Sequence, residues 1–336
     1  MLNPDAKLSE KTFSDDIKKV PTRDGFGTGS VEAGQHDPRV VVLCADLAES
    51  TRANEFEKAF PERFVEMGVA EQNMATVAAG MAAAGRIPFI ASYAAFSPGR
   101  NYEQIRTTIA LNHRPVKICG MHAGVSVGPD GATHQMLEDI GMMRMLPGMV
   151  VIAPADAEEA RKAVVAAAQT DGPVYLRFGR AATPVFTTAE TPFEIGKALT
   201  LFDPAFAQGS GDAKPQVAIF STGSLGHAAL VAARTLSGEG IESLVVHVPT
   251  IKPLDTEAIL AAARRVERVI TIEEHQIAGG FGSAVTELLA EHHPLPVRRL
   301  GIPDQFGQSG TPEELLAYFG LDALHIAQSV REFTSV

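Results

Sequence analysis

Between residues 39 and 180 the chain alternates short, apolar, turn-bounded runs with helix-length stretches, and no other feature constrains its fold so tightly. The runs are RVVVLCADL (39–47), RFVEMGV (63–69), IPFIASY (87–93), VKICGMH (116–122), MVVIAPA (149–155) and PVYLRFGR (173–180). Segments such as NYEQIRTTIALN and ADAEEARKAVVAAAQ lie between them. Strand and helix signals in this order predict a parallel sheet covered by helices on both faces. Asp46, Tyr93, His122 and Arg180 then fall at strand ends, beyond which open α/β sheets place their ligands.

Residues 181–215 interrupt the pattern with Pro184, Pro192, Pro204 and Pro215, and include DPAFAQGSGDAKP, which reads as a surface loop. Alternation resumes with QVAIFSTGS, ESLVVHVP, RVITIEEH and VRRLGIP. At 336 residues two domains are expected, taking about 150 residues for each. The fold class is therefore α/β, with a polar extension at 1–20, one parallel-sheet domain at 21–185 and a second at 193–336.

Composition excludes several function classes. A formal net charge of −11 and the lack of a basic run argue against nucleic acid. The N-terminus lacks the apolar core of a signal peptide, and no apolar run approaches the roughly 20 residues that span a bilayer. Cys44 and Cys119 sit in apolar strands, as buried thiols do. These features lead us to expect a soluble cytoplasmic protein.

Two glycine clusters suggest nucleotide binding. GFGTGS (25–30) has no hydrophobic strand before it, and AGGFGSA (278–284) has no acidic residue in the right strand context after it, so tight structural connections are favoured for both. GMHAGVSVGPDGATHQ holds His122, Asp130 and His134. Its spacing does not put both histidines on one helical face, which argues against a metal. A polar surface loop is one reading, and a place to handle hydroxyls and protons is another. Glu71 opens a stretch that stays uncharged to Arg86. A carboxylate in a first helical turn is favoured by the helix dipole alone. However, Ala75, Ala78, Ala79, Ala82 and Ala83 allow close, dry packing, and a desolvated carboxylate can share a proton with a bound base.

Several of these segments recur together elsewhere. PTR (21–23), ADLAES (45–50), GVAEQNM (68–74), SYAAF (92–96), GMH through THQMLED (120–139), FGR (178–180) and TIKPLD (250–255) stand in the order found in transketolases. From about residue 20 to its end the chain resembles the C-terminal half of that family, its pyrimidine-binding domain plus its C-terminal domain. The resemblance implies that Glu71 contacts N1′ of the aminopyrimidine ring of thiamine diphosphate. It implies that Tyr93 and Phe96 stack on that ring, with Tyr where the family commonly has Phe, so the added hydroxyl needs a partner. Arg23, Ser50, His122 and Arg180 match positions that hold the phosphate end of a sugar, Asp130 one that accepts from a sugar hydroxyl, and His134 a proton shuttle. Asp46 is placed near the cofactor edge.

One element of the family is missing. Its N-terminal domain binds the diphosphate through a divalent metal, using a GDG run and a later Asn; the nearest text here, PDG (129–131), belongs to the sugar loop. The resemblance thus implies the C-terminal-type subunit of a split transketolase. It would be active only with a partner chain that brings the metal (Mg or Ca), in an α2β2 assembly on sugar phosphates. The β subunit of a thiamine-dependent 2-oxoacid dehydrogenase, a deoxyxylulose-phosphate synthase-like fragment and a non-catalytic assembly module are the alternatives. The sequence leaves open which donor and acceptor are used, and whether the anion is a phosphate or a sulfonate.

Overall fold

The structure is a computed structural model that describes residues 1–206 and 214–335. Most of the expected 203–215 loop thus lies outside the described residues.

Fourteen strands are described, in three sheets. β1 (Lys19–Pro21) and β8 (Ala182–Pro184) form a small antiparallel pair. The largest sheet holds β2 (Val40–Cys44), β3 (Phe64–Glu66), β4 (Ile87–Tyr93), β5 (Lys117–Met121), β6 (Val150–Ile152) and β7 (Val174–Arg177), joined by β12 (Thr250–Lys252). Its order is β12-β6-β7-β5-β4-β2-β3. The third sheet contains β9 (Leu199–Phe202), β10 (Val217–Ser221), β11 (Ser243–His247), β13 (Arg268–Gln276) and β14 (Val297–Ile302), ordered β14-β13-β10-β11-β9.

Both large sheets are parallel except at one edge, where β12 and β9 run antiparallel to their neighbours. The expected pair of parallel-sheet α/β domains is found, each large sheet carrying one antiparallel strand at an edge. β12 also ties the two halves together, because it leaves the second half to extend the first sheet. The central strands β2, β5, β7, β10 and β11 are buried along their whole length, which explains why they read as continuous apolar runs rather than alternating ones.

The helices needed here are α1 (Thr22–His36), α2 (Glu71–Ala83), α3 (Ala157–Gln169), α4 (Gly226–Ser237), α5 (Phe281–His292) and α6 (Ala323–Thr334). GFGTGS proves to lie inside α1, where its glycines allow close contact with α3. A Cβ on Gly25 would fall 2.2 Å from the Ala157 carbonyl oxygen, and one on Gly29 would fall 2.9 Å from Val164 Cβ. AGGFGSA caps α5, and its helix terminus is filled from within: the N–H groups of Phe281 and Gly282 donate to the buried Glu273 carboxylate at 2.6 and 2.8 Å. Both clusters are structural.

In α2 the alanine face packs against the chain's own core. Ala75 and Ala78 are wholly buried in one cluster with Leu43, Ile90, Ile105 and Ile109, while Ala83 is exposed. The N-terminal segment is also anchored. Asn3 donates from Nδ2 to the Thr200 carbonyl at 2.8 Å, and the His227 ring bonds the Thr12 carbonyl at 2.7 Å. Among the described residues no helix is long and apolar enough to cross a membrane.

Two glycines give opposite expectations. Gly25→Ala forces a methyl into α3 backbone and should destabilise the purified chain by about 1–3 kcal/mol or more, the usual range for overpacking. A Cβ on Gly80, inside α2, would meet nothing within 4 Å. Gly80→Ala should therefore stabilise by about 0.5–1 kcal/mol. Thermal unfolding followed by circular dichroism measures both; unchanged stability for Gly25→Ala would show that α1 and α3 can part freely.

Candidate active site

Parallel pairing carries the candidate residues to one edge of the first sheet. Glu71 begins the helix after β3, Ser50 follows β2, Tyr93 ends β4, His122 follows β5 and Arg180 lies just past β7. Phe96 follows in the turn after β4, and Arg23 enters from the first turn of α1.

These side chains form a continuous set of contacts. Tyr93 and Phe96 stack with ring centroids 5.8 Å apart, Tyr93 stacks on the His122 ring at 3.9 Å, and His134 stands edge-on to Phe96 at 5.6 Å. His134 Nδ1 bonds the Thr133 hydroxyl at 2.8 Å. Arg23 Nη1 donates to the Ser50 carbonyl at 2.8 Å and meets His122 Nε2 at 3.2 Å. Ser50 thus serves the cluster through its backbone. Arg180 donates to the Val127 carbonyl at 2.7 Å and stands 3.8 Å from the Asp130 carboxylate.

The electrostatics of this mouth are unlike those of the whole chain. Burial, then repulsion from Arg23 and Arg180, pushes the His122 imidazole down to about 3. Burial, and then the Arg52 guanidinium, also lowers Arg23 below the usual guanidinium range. A guanidinium only donates, so Nε2 of His122 is the acceptor and the ring proton belongs on Nδ1. Among the described residues that Nδ1–H is buried without a partner, as is Nε of Arg23. Two orphaned donors beside three guanidiniums fit an anion, since buried polar groups seek partners.

Glu71 is only 2% exposed. Its Oε2 receives a 2.8 Å hydrogen bond from Arg100 Nη1, and its backbone carbonyl accepts from the buried Asn101 side chain at 2.9 Å. Arg100 also lies over the Phe96 ring, 4.7 Å from its centroid. A buried carboxylate beside half-buried aromatic faces fits a flat heterocyclic base, the group implied by the resemblance. Asp46 is the exception among the candidates. It is exposed, and its side chain makes no hydrogen bond or ion pair among the described residues; only its backbone N–H is held, by Glu66 at 2.8 Å.

Sequence reading did not single out four further residues. Arg52, in the left-handed region at φ 67°, adds positive charge to the mouth while pairing with Asp24 at 2.7 Å. Arg100 and Glu71 are brought together across 29 residues. Glu274, on β13, accepts from the Ser126 N–H at 2.5 Å, and its carboxylate lies 2.3 Å from where a Gly124 Cβ would stand. Gln135 donates to the carbonyls of Val125 and Gly128, both at 3.1 Å. Glu274 and Gln135 thereby fix the loop between His122 and Asp130. Only the positive charge of Arg52 and the glycines of that loop were visible beforehand; the contacts themselves depend on the closed fold.

Comparison with known proteins gives consistent matches. Residues 18–185 match the family model described as transketolase, pyrimidine binding domain, and residues 211–326 match the transketolase, C-terminal domain. A putative transketolase C-terminal section from Methanocaldococcus jannaschii is 42% identical over 92% of this chain and 95% of its own length. A 6-deoxy-6-sulfo-D-fructose transketolase subunit from a Clostridium species is 38% identical over 93% of this chain and 94% of its own. A solved structure titled "Split gene transketolase, inactive beta4 tetramer" superposes with a TM-score of 0.85 at 42% identity, covering 94% of this chain and 99% of that one.

The electrostatics of the mouth lead to a direct expectation. Because its folded value is near 3 rather than the usual 6.5, the His122 imidazole should stay neutral from pH 5 to 8. Assigned imidazole NMR resonances measure this, and protonation with a midpoint near 6.5 would contradict the buried, guanidinium-flanked geometry.

Proposed function

The chain belongs to the transketolase family, as a C-terminal section, and on that premise we propose that the mouth described above is the cofactor-binding and substrate-binding half of a split enzyme's active site. It is a transferase subunit that moves a two-carbon ketol unit from a ketose to an aldose with thiamine diphosphate, and it works with a separate N-terminal-type subunit. The observation that carries the site assignment is the convergence of a buried carboxylate, an aromatic pair and three guanidiniums on one sheet edge.

Thiamine diphosphate, when bound, supplies the electron sink for breaking and making the carbon–carbon bond. The chain's own residues hold and orient. Glu71 offers a water-shielded carboxylate oxygen to the aminopyrimidine N1′ and shares its proton. Tyr93 and Phe96 present ring faces, and Asp46 is kept as a weaker cofactor-side candidate from the resemblance alone. Arg23, His122 and Arg180 take the anionic end of the sugar, with Ser50 holding Arg23 in place. His122 takes part as a neutral donor, which leaves the positive charge to the guanidiniums. Asp130 accepts from a sugar hydroxyl, and the partly exposed His134 moves a proton to or from the donor hydroxyls.

In this proposal the partner subunit brings the diphosphate site and its divalent metal, Mg or Ca, and the assembly is α2β2. The sequence divides into the extension at 1–20, the pyrimidine-binding domain at 21–185 and the C-terminal domain at 193–336. A cytoplasmic setting is proposed as well, supported by two unpaired, buried cysteines that suit a reducing compartment.

Reconstitution tests the proposal. The purified chain alone should bind thiamine diphosphate weakly and show no transfer, and adding the partner subunit should restore both; full activity of the isolated chain would refute the split-site reading. In the assembled enzyme, Arg180→Ala should lower kcat/KM roughly ten- to a hundred-fold on phosphorylated sugars, the effect of losing one charged hydrogen bond. Unphosphorylated analogues should barely respond. Equal loss on both would mean that Arg180 supports the loop through Val127 rather than binding the anion.

A further inference from the structure

We infer that Arg100 is a positioning residue for Glu71, clamping one carboxylate oxygen so that the other is presented to the base bound against Phe96. The inference rests on the proposed role of Glu71.

Three observations support it. First, the pair is lopsided in burial: the Arg100 side chain is 48% exposed, whereas that of Glu71 is 2% exposed. The guanidinium therefore reaches inward to a carboxylate that has no other charged partner among the described residues. Second, Arg100 bonds Oε2 alone, and Oε1 has no hydrogen-bond partner among the described residues. One oxygen is fixed and the other is available. Third, the guanidinium carbon lies over the Phe96 ring, and the next residue, Asn101, donates to both the Glu71 carbonyl and the Ser97 hydroxyl. The 96–101 segment thus grips the first residue of α2 by side chain and backbone together.

The chemistry gives the clamp a purpose. A buried carboxylate without its cation either takes up a proton or turns toward another donor, because an unpaired buried charge is costly. A guanidinium stays protonated at every physiological pH and lies flat on a ring, which an ammonium cannot do. Arg100 therefore holds the Glu71 carboxylate oriented before the cofactor arrives, and substitution by Lys retains the charge while losing the stacking.

The test uses the enzyme assembled with its partner subunit, with two readouts: the thiamine diphosphate dissociation constant by calorimetry, and C2-proton exchange on the bound cofactor at saturation. Arg100→Ala should weaken binding and slow exchange, each roughly ten- to a hundred-fold. Arg100→Lys should recover part of the loss, and millimolar guanidinium ion should partly rescue Arg100→Ala. In a Glu71→Gln background, Arg100→Ala should add little, because the group it positions is already gone. Tighter cofactor binding by Arg100→Ala would overturn the inference by showing that Arg100 obstructs the ring site. Unchanged exchange at saturation would overturn it by leaving Arg100 a surface charge, as would an undiminished Arg100→Ala loss in the Glu71→Gln background. Wild-type exchange in Glu71→Gln alone would instead remove the reading of Glu71 on which the inference rests.

Discussion

Parallel pairing of β2, β4, β5 and β7 brings four chain segments, far apart in sequence, to one edge with their carboxyl ends aligned. Each strand can then release a loop or a helix into the same space without any strand being exposed to water. The cost is a set of buried backbone groups and close helix contacts. The structure meets it with side chains of minimal size where α1 crosses α3, and with Glu273 closing the terminus of α5. The mouth is open because the rest of the sheet is sealed.

Much of this was legible in the sequence. Strand ends could be read because buried parallel strands are apolar runs with abrupt polar stops, and Asp46, Tyr93, His122 and Arg180 mark such stops. Glu71 stood out for a similar reason, as a charge at the head of an uncharged helix. The partners of these residues were not legible. Arg100 sits in SPGRNYEQIR, which reads as an ordinary turn into a helix, and only the folded turn sends its guanidinium back over Phe96. Glu274 and Ser126 are separated by 148 residues, so their contact has no local signature. The backbone contact of Ser50 was equally hidden, because Arg23 donates to its carbonyl oxygen rather than to its side chain. Sequence pattern reports burial and direction; it does not report which donor finds which acceptor.

Charge illustrates the same division. The chain carries a net charge of −11, and that excess is repulsive toward any anionic sugar at long range. At short range Arg23, Arg52 and Arg180 reverse the sign, and burial, reinforced by their repulsion of a further positive charge, holds His122 neutral. A protonated imidazole there would add a fourth cation to a crowded, half-buried site. The neutral ring instead contributes a stacking face to Tyr93 and a directed donor, so its value lies in shape and polarity.

The two adjacent carboxylates of β13 extend this reasoning to the history of the chain. Glu273 and Glu274 point to opposite sides of one strand; the first closes the terminus of α5, and the second braces the loop between His122 and Asp130. The C-terminal half is therefore not an interchangeable module appended to a self-sufficient catalytic half. A recombination event that exchanged it would have to deliver a carboxylate in the same strand register, opposite a glycine able to receive it. The junction between these two halves is thus constrained by β13, whose neighbouring residues answer to different cores, as well as by the pairing of β12 with β6.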